Sequence, residues 1–117
     1  MVTPSAGIVV TVQFPFSDLS RSKLRPAVVL ASAGRADWIL YQVTSNAYAD
    51  QEAVQLESSD FASGSLSLTS YARPGKLFTA KTSLMATEVG KLKDAAFRRC
   101  GGWPSAITYS LRRGQQQ

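Results

Sequence analysis

Lys23-Leu24-Arg25-Pro26-Ala27-Val28-Val29-Leu30-Ala31 is the stretch on which the fold depends. From Ala27 to Ala31 every residue is apolar, so neither face of the segment suits water. That is the pattern of a strand at the centre of a sheet. Pro26 starts the run and biases Arg25 toward extended backbone. Outward from here the chain alternates strand patterns with turn residues. Upstream, Ile8, Val10, Val12 and Phe14 alternate with Val9, Thr11 and Gln13, a period of two opened by Gly7 and closed by Pro15. Residues 14–24 read as a loop with Pro15, three serines and mixed charge. Downstream, residues 32–37 are a turn around Gly34. Residues 38–44 are a strand of aromatic and β-branched residues, with Trp38, Leu40, Gln42 and Thr44 on one face. Further short strands are expected at 53–57, 66–71, 77–80 and 84–87, with Pro74-Gly75 as a turn. Such a series points to a mainly β fold, a small barrel or sandwich, rather than to a sheet wound with helices.

The chain has 117 residues, 44% of them hydrophobic. This suits one domain over 1–117, with a barrel at about 7–90 and a helical tail at about 91–117. Residues 92–100 are helix-compatible, and Gly101-Gly102 stops them. Pro104 suits a first helical position, and Trp103, Ile107 and Leu111 recur every four residues. A second short helix at 104–113 is therefore expected, packed on the barrel or on a partner subunit; the rival is a disordered basic tail. Acidic and basic residues balance over 1–90. The net charge of +5 sits in the last quarter, where Lys91, Lys93, Arg98, Arg99, Arg112 and Arg113 face Asp94 alone. This balance permits an acidic or nucleic-acid partner without specifying one.

Composition also excludes chemistry. With no histidine, the chain has no Ser-His-Asp or Cys-His catalysis and no histidine-ligated zinc. A single cysteine, Cys100, rules out an internal disulfide framework and suits a reducing compartment, the cytoplasm. It is expected to be an inert, half-buried thiol. No apolar run approaches the ~20 residues of a membrane helix, and the first residues lack the pattern of a signal peptide. Phosphate-loop and dinucleotide fingerprints are missing.

The richest polar stretch is Asp18-Leu19-Ser20-Arg21-Ser22-Lys23-Leu24-Arg25-Pro26. Three cations occupy alternate positions ahead of a strand that fixes the last of them. A planar guanidinium held this way suits phosphate; an ordinary solvated loop has the same composition. Thr44-Ser45-Asn46 clusters two hydroxyls and an amide at a strand end, where such residues also serve as turn formers. Ser70-Tyr71-Ala72-Arg73 fits a strand leaving the barrel. Asp50 and Glu52 fit a solvated loop, and Phe14 and Phe16 fit barrel-end packing.

Several motifs, taken in order, closely resemble the MazF/PemK/Kid toxins of bacterial toxin–antitoxin pairs. They are Gly7-Ile8-Val9-Val10 with Phe14-Pro15-Phe16-Ser17-Asp18-Leu19, then Lys23-Leu24-Arg25-Pro26-Ala27-Val28-Val29-Leu30, then Gln42-Val43-Thr44-Ser45-Asn46. Ser70-Tyr71-Ala72-Arg73-Pro74-Gly75-Lys76-Leu77-Phe78-Thr79 and Val89-Gly90-Lys91-Leu92 follow. The resemblance covers about residues 7–92. It implies an SH3-like barrel with a C-terminal helix, a homodimer, and a cognate antitoxin with an acidic, partly disordered segment. It also implies a cofactor-free, metal-independent endoribonuclease acting on single-stranded RNA. The family's catalytic arginine falls on Arg25, and the threonine that ends its third strand falls on Thr44. Arg21, Lys23 and Arg73 would hold flanking phosphates. Asn46 and Tyr71 would contact bases, with Ser45 and Ser70 beside them.

The chain departs from the family in three places. Some members carry an acid or a histidine in the loop before the arginine, where this chain reads Ser20-Arg21-Ser22-Lys23. Some carry an aspartate where it reads Thr69-Ser70-Tyr71. Gly101-Gly102-Trp103-Pro104 interrupts what the family continues as helix. No general base is assigned. The alternative is a non-catalytic toxin or binding module on the same barrel, acting through a protein target such as gyrase.

Overall fold

The computed structural model describes residues 2–14, 23–46 and 51–101. Seven strands form one antiparallel sheet: β1 (Ile8–Phe14), β2 (Lys23–Gly34), β3 (Asp37–Thr44), β4 (Val54–Leu56), β5 (Phe61–Gly64), β6 (Ser70–Lys81) and β7 (Met85–Leu92). Their order is β4-β6-β3-β2-β1-β7-β5. The two outermost strands, β4 and β5, are neighbours in sequence, joined through the 3₁₀ turn Ser58–Asp60. The sheet therefore curls round on itself, and its ends are linked by chain rather than by a ladder. The fold is mainly β, as the sequence indicates, but the barrel is open at this seam.

Asp60 ties the seam together. Its carboxylate accepts hydrogen bonds from the Glu57 N–H at 2.8 Å and from the Arg99 guanidinium at 2.8 Å. Its carbonyl accepts from the Lys93 N–H at 2.8 Å. The Glu57 N–H foremost, and then the Arg99 guanidinium, hold the Asp60 carboxyl below its ordinary value.

β2 is central and is buried on both sides. Val28 packs with Val9, Tyr41 and Val43 on one face, while Ala27 and Val29 pack with Val10, Val12 and Leu40 on the other. The alternation along β1 divides in the same way. One helix, α1 (Asp94–Arg99), closes the first core by burying Ala96 and Phe97. Six residues are too few to be helical alone, so α1 depends on this packing. It stops at Gly101, whose φ of 87° suits the residue just past a helix end and whose N–H bonds to the Arg98 carbonyl at 2.9 Å.

Several sequence expectations are corrected. β2 begins before Pro26. β5 was not foreseen, and residues 66–69 are not strand; β6 starts at Ser70. Pro74-Gly75 is not a turn but lies inside β6. Val43 pairs with Ala72 and Tyr41 with Leu77, so Gln42 alone faces residues 73–76. Proline is accommodated because it sits in this bulge, where no ladder needs its missing N–H. β7 is longer than expected, and the helix is shorter. Cys100 is fully buried at 1% exposure rather than half-buried. The expected 104–113 helix and most of the 14–24 loop lie outside the described residues.

Candidate functional site

The β2–β3 ladder runs only as far as Ala27 opposite Gln42. Beyond that point Pro26 has no N–H to give. Residues 23–26 pair with β1 alone, and Val43 and Thr44 pair with β6 alone. The two strands part, and a cleft of about 490 Å³ opens between them. Arg25, Pro26 and Thr44 line it together with Thr11, Ser45 and Ser70. Its rim carries two large exposed apolar side chains, Leu24 at 52% and Leu68 at 66%. The same proline that opens the cleft holds the Arg25 backbone extended beside it.

Strand register gathers the polar residues. Ala27 and Gln42 face each other, so two residues further Arg25 and Thr44 stand on that same face. Thr44 faces Tyr71, Tyr71 faces Gln55, and Arg25 faces Val12. A single row, Val12–Arg25–Thr44–Tyr71–Gln55, thus crosses five strands. Arg73 joins this face one step along β6, where its guanidinium donates to the Gln42 side-chain oxygen at 3.1 Å.

Individual groups are held to different degrees. Arg25 is exposed and Thr44 is half-buried. The Thr44 hydroxyl accepts from the Asn46 N–H at 3.1 Å and donates to the Asn46 carbonyl at 3.2 Å. This local turn fixes the hydroxyl's position. A ligand that accepted its proton would displace the Asn46 carbonyl. Ser70 is buried at 5%, and its hydroxyl donates to the Leu68 carbonyl at 2.9 Å, so it forms wall rather than surface. The Thr11 hydroxyl, buried at the cleft, has no hydrogen-bond partner among the described residues.

Of the sequence-derived candidates, the cleft brings together Arg25, Thr44, Ser45 and Ser70. Tyr71 and Arg73 share the adjoining sheet face, and Asn46 holds Thr44. Arg21 and the Lys23 side chain lie outside the described residues. Sequence reasoning missed Gln42 and Thr11 as site residues. The signals for Gln42 were an amide on the same face as Trp38 and Leu40 and its place at the head of the Gln42-Val43-Thr44-Ser45-Asn46 motif.

Chemically the site offers a guanidinium, hydroxyls and apolar rims: donors for an anion and surfaces for flat rings. No carboxylate lines the cleft among the described residues. Nor, among them, is any group of three or more His, Cys, Asp and Glu placed to hold a metal ion.

No protein-family model matches the chain, and no curated protein matches it by sequence. Solved structures do. An endoribonuclease in complex with its cognate antitoxin, from a Mycobacterial species, aligns with a TM-score of 0.64 at 16% identity, over 86% of this chain and 88% of that one. The Mycobacterium tuberculosis toxin MazF-mt6 aligns with a TM-score of 0.62 at 12% identity, over 80% and 88%. A second Mycobacterial endoribonuclease covers 95% of this chain and 93% of its own, with a TM-score of 0.63 at 18% identity. The chain therefore shares the fold of MazF-type proteins over most of its length.

Proposed function

We propose that the chain is a MazF-type toxin of a toxin–antitoxin pair, an endoribonuclease that cuts single-stranded RNA. The observation that carries this reading is the row Arg25–Thr44–Tyr71, set beside a cleft that Pro26 opens, on a fold shared with named endoribonucleases.

RNA carries its own nucleophile. The 2′-hydroxyl oxygen attacks the adjacent phosphorus, the bond from phosphorus to the 5′-oxygen breaks, and a 2′,3′-cyclic phosphate and a 5′-hydroxyl result. The proton lost at the 2′-oxygen goes to solvent or a base, and one is gained at the 5′-oxygen. The protein must chiefly align these atoms and stabilise charge on the phosphorane. That task suits a chain without histidine. Arg25 donates to the phosphate oxygens and toward the leaving oxygen. A guanidinium is a donor and not a proton acceptor, so Arg25 is not the base. Thr44, fixed by Asn46, orients the phosphate. Tyr71 offers a ring for base stacking, and Arg73 binds a flanking phosphate. The same reading makes the active unit a homodimer and gives it a cognate antitoxin.

One observation favours a second reading. The cleft has no carboxylate among its described lining residues, as suits a module that binds a protein target without cutting RNA.

Purified protein incubated with single-stranded RNA in excess EDTA separates the two. Cleavage leaving 2′,3′-cyclic phosphate and 5′-hydroxyl ends is expected, with Arg25→Ala at least about 100-fold slower and still folded. Intact RNA, with or without added divalent cations, supports the binding module.

A further inference from the structure

We propose that Gln42 is a positioning residue that holds the Arg73 guanidinium on the RNA-facing side of the sheet; this rests on the RNA-cutting reading above. Gln42 is the one residue of β3 without a cross-strand partner on β6, because residues 73–76 bulge out opposite it. A bulge re-aims the side chains it carries. Arg73 is the first residue of this bulge, and its guanidinium Nη1 donates to Gln42 Oε1 at 3.1 Å in a part-buried contact. Gln42 itself is half-buried and stands opposite Ala27, which is fully buried. Its amide therefore rises from packed backbone on the β2 side.

The residue type matters as much as the geometry. Arginine has a long, rotamer-rich side chain, and ordering it on binding an anion costs free energy. A contact already made before binding removes part of that cost. The amide oxygen of Gln42 is an acceptor that supplies one such contact. Thr44 lies two residues along β3 on the same face, and Tyr71 lies two residues back along β6. Arg73 is thus held on the same sheet face as Thr44 and Tyr71, where it would take a phosphate flanking the one at Arg25.

The test is a double-mutant cycle on RNA binding. Gln42→Met keeps the chain length and loses the acceptor; Arg73→Met removes the charge. Binding is read by fluorescence anisotropy with a mixed-sequence, fully 2′-O-methylated RNA oligonucleotide, which cannot be cut at its 2′ positions, across a salt series. Arg73→Met should weaken binding about tenfold and flatten the slope of log affinity against log salt by about 0.7, the loss of one phosphate contact on a single strand. Gln42→Met should weaken binding about threefold. The double variant should bind no more weakly than Arg73→Met alone, since Gln42 acts through Arg73. Wild-type affinity in Gln42→Met overturns the proposal. So does a Gln42→Met loss of the same factor in both backgrounds, which is what a merely structural role or partial unfolding produces. If wild type cuts RNA and the cycle is additive, only this inference fails. If wild type neither binds nor cuts RNA, the functional reading fails with it.

Discussion

Among the described residues Tyr41 is the largest fully buried side chain, and its hydroxyl has no hydrogen-bond partner of ordinary geometry among them. Its polar neighbour is the Cys100 thiol. Burial above all, with the Cys100 thiol adding to it, drives the Tyr41 phenol far above its ordinary value of 10.0. Burial likewise raises Cys100 above 9.0. Both groups are bound more tightly to their protons in the folded state. Their contribution to stability is complete below the unfolded values, about 9 and 10, and is lost as pH rises past them. Urea unfolding should therefore show a level midpoint from pH 6 to 8 and a fall above pH 9. Tyr41→Phe should match wild type within about 0.5 kcal/mol at neutral pH, because no satisfied hydrogen bond is removed, and should fall less steeply at alkaline pH. An equally steep fall would contradict this. Arg25 was legible in the sequence because Pro26 and the apolar run after it name a fixed position. Thr44 was legible as the end of a strand. The contribution of Gln42 was not, because its partner is 31 residues away and the contact exists only through a bulge. Thr11 looked like an ordinary outward residue until register set it against Pro26.

Among the elements, the β2–β3 hairpin carries an internal conflict. Its two-residue turn is Arg35-Ala36, with φ of 53° and 67°. Such turns favour Asn and Gly, and side chains in this region cost roughly 1 kcal/mol each. The turn persists because Thr82 holds it: the Thr82 N–H and hydroxyl both donate to the Ala36 carbonyl, at 2.9 and 3.3 Å. Ala36→Gly and Arg35→Asn should each raise stability by about 0.5 kcal/mol, the relief of strain less the extra freedom of the unfolded chain. Urea midpoints at unchanged slope measure this; a lower midpoint in both variants would contradict it. The strands with strong periodicity, β1, β2 and β3, were legible because alternation and apolar runs fix them locally. β5 was not. It is Phe61-Ala62-Ser63-Gly64, a strand by virtue of pairing with β7, where Gly64 faces Gly90 and a side chain on Gly90 would come within 2.5 Å of the Ser63 carbonyl. Pro74-Gly75 misled for a related reason: turn residues also make bulges, and only the cross-strand partner tells which.

For the whole molecule, the sheet is open at the β4–β5 seam and the active unit is proposed to be a two-fold dimer, which would place two copies of the Arg25 row in one assembly. Light scattering at micromolar concentration should return about twice the 12.6 kDa chain mass; a monomer that cuts RNA would show that one barrel holds a complete site. By the proposed mechanism this fold, with Arg25 beside the cleft, lets RNA supply its own nucleophile. The most direct test uses two oligoribonucleotides of one cleaved sequence, identical except for a single 2′-deoxy substitution on the 5′ side of the cut bond. With the 2′-hydroxyl present, the protein should cut and leave a 2′,3′-cyclic phosphate. With it absent, cutting at that bond should stop while binding persists. Cleavage of both oligonucleotides at the same rate would contradict the account, because the nucleophile would then have to come from elsewhere.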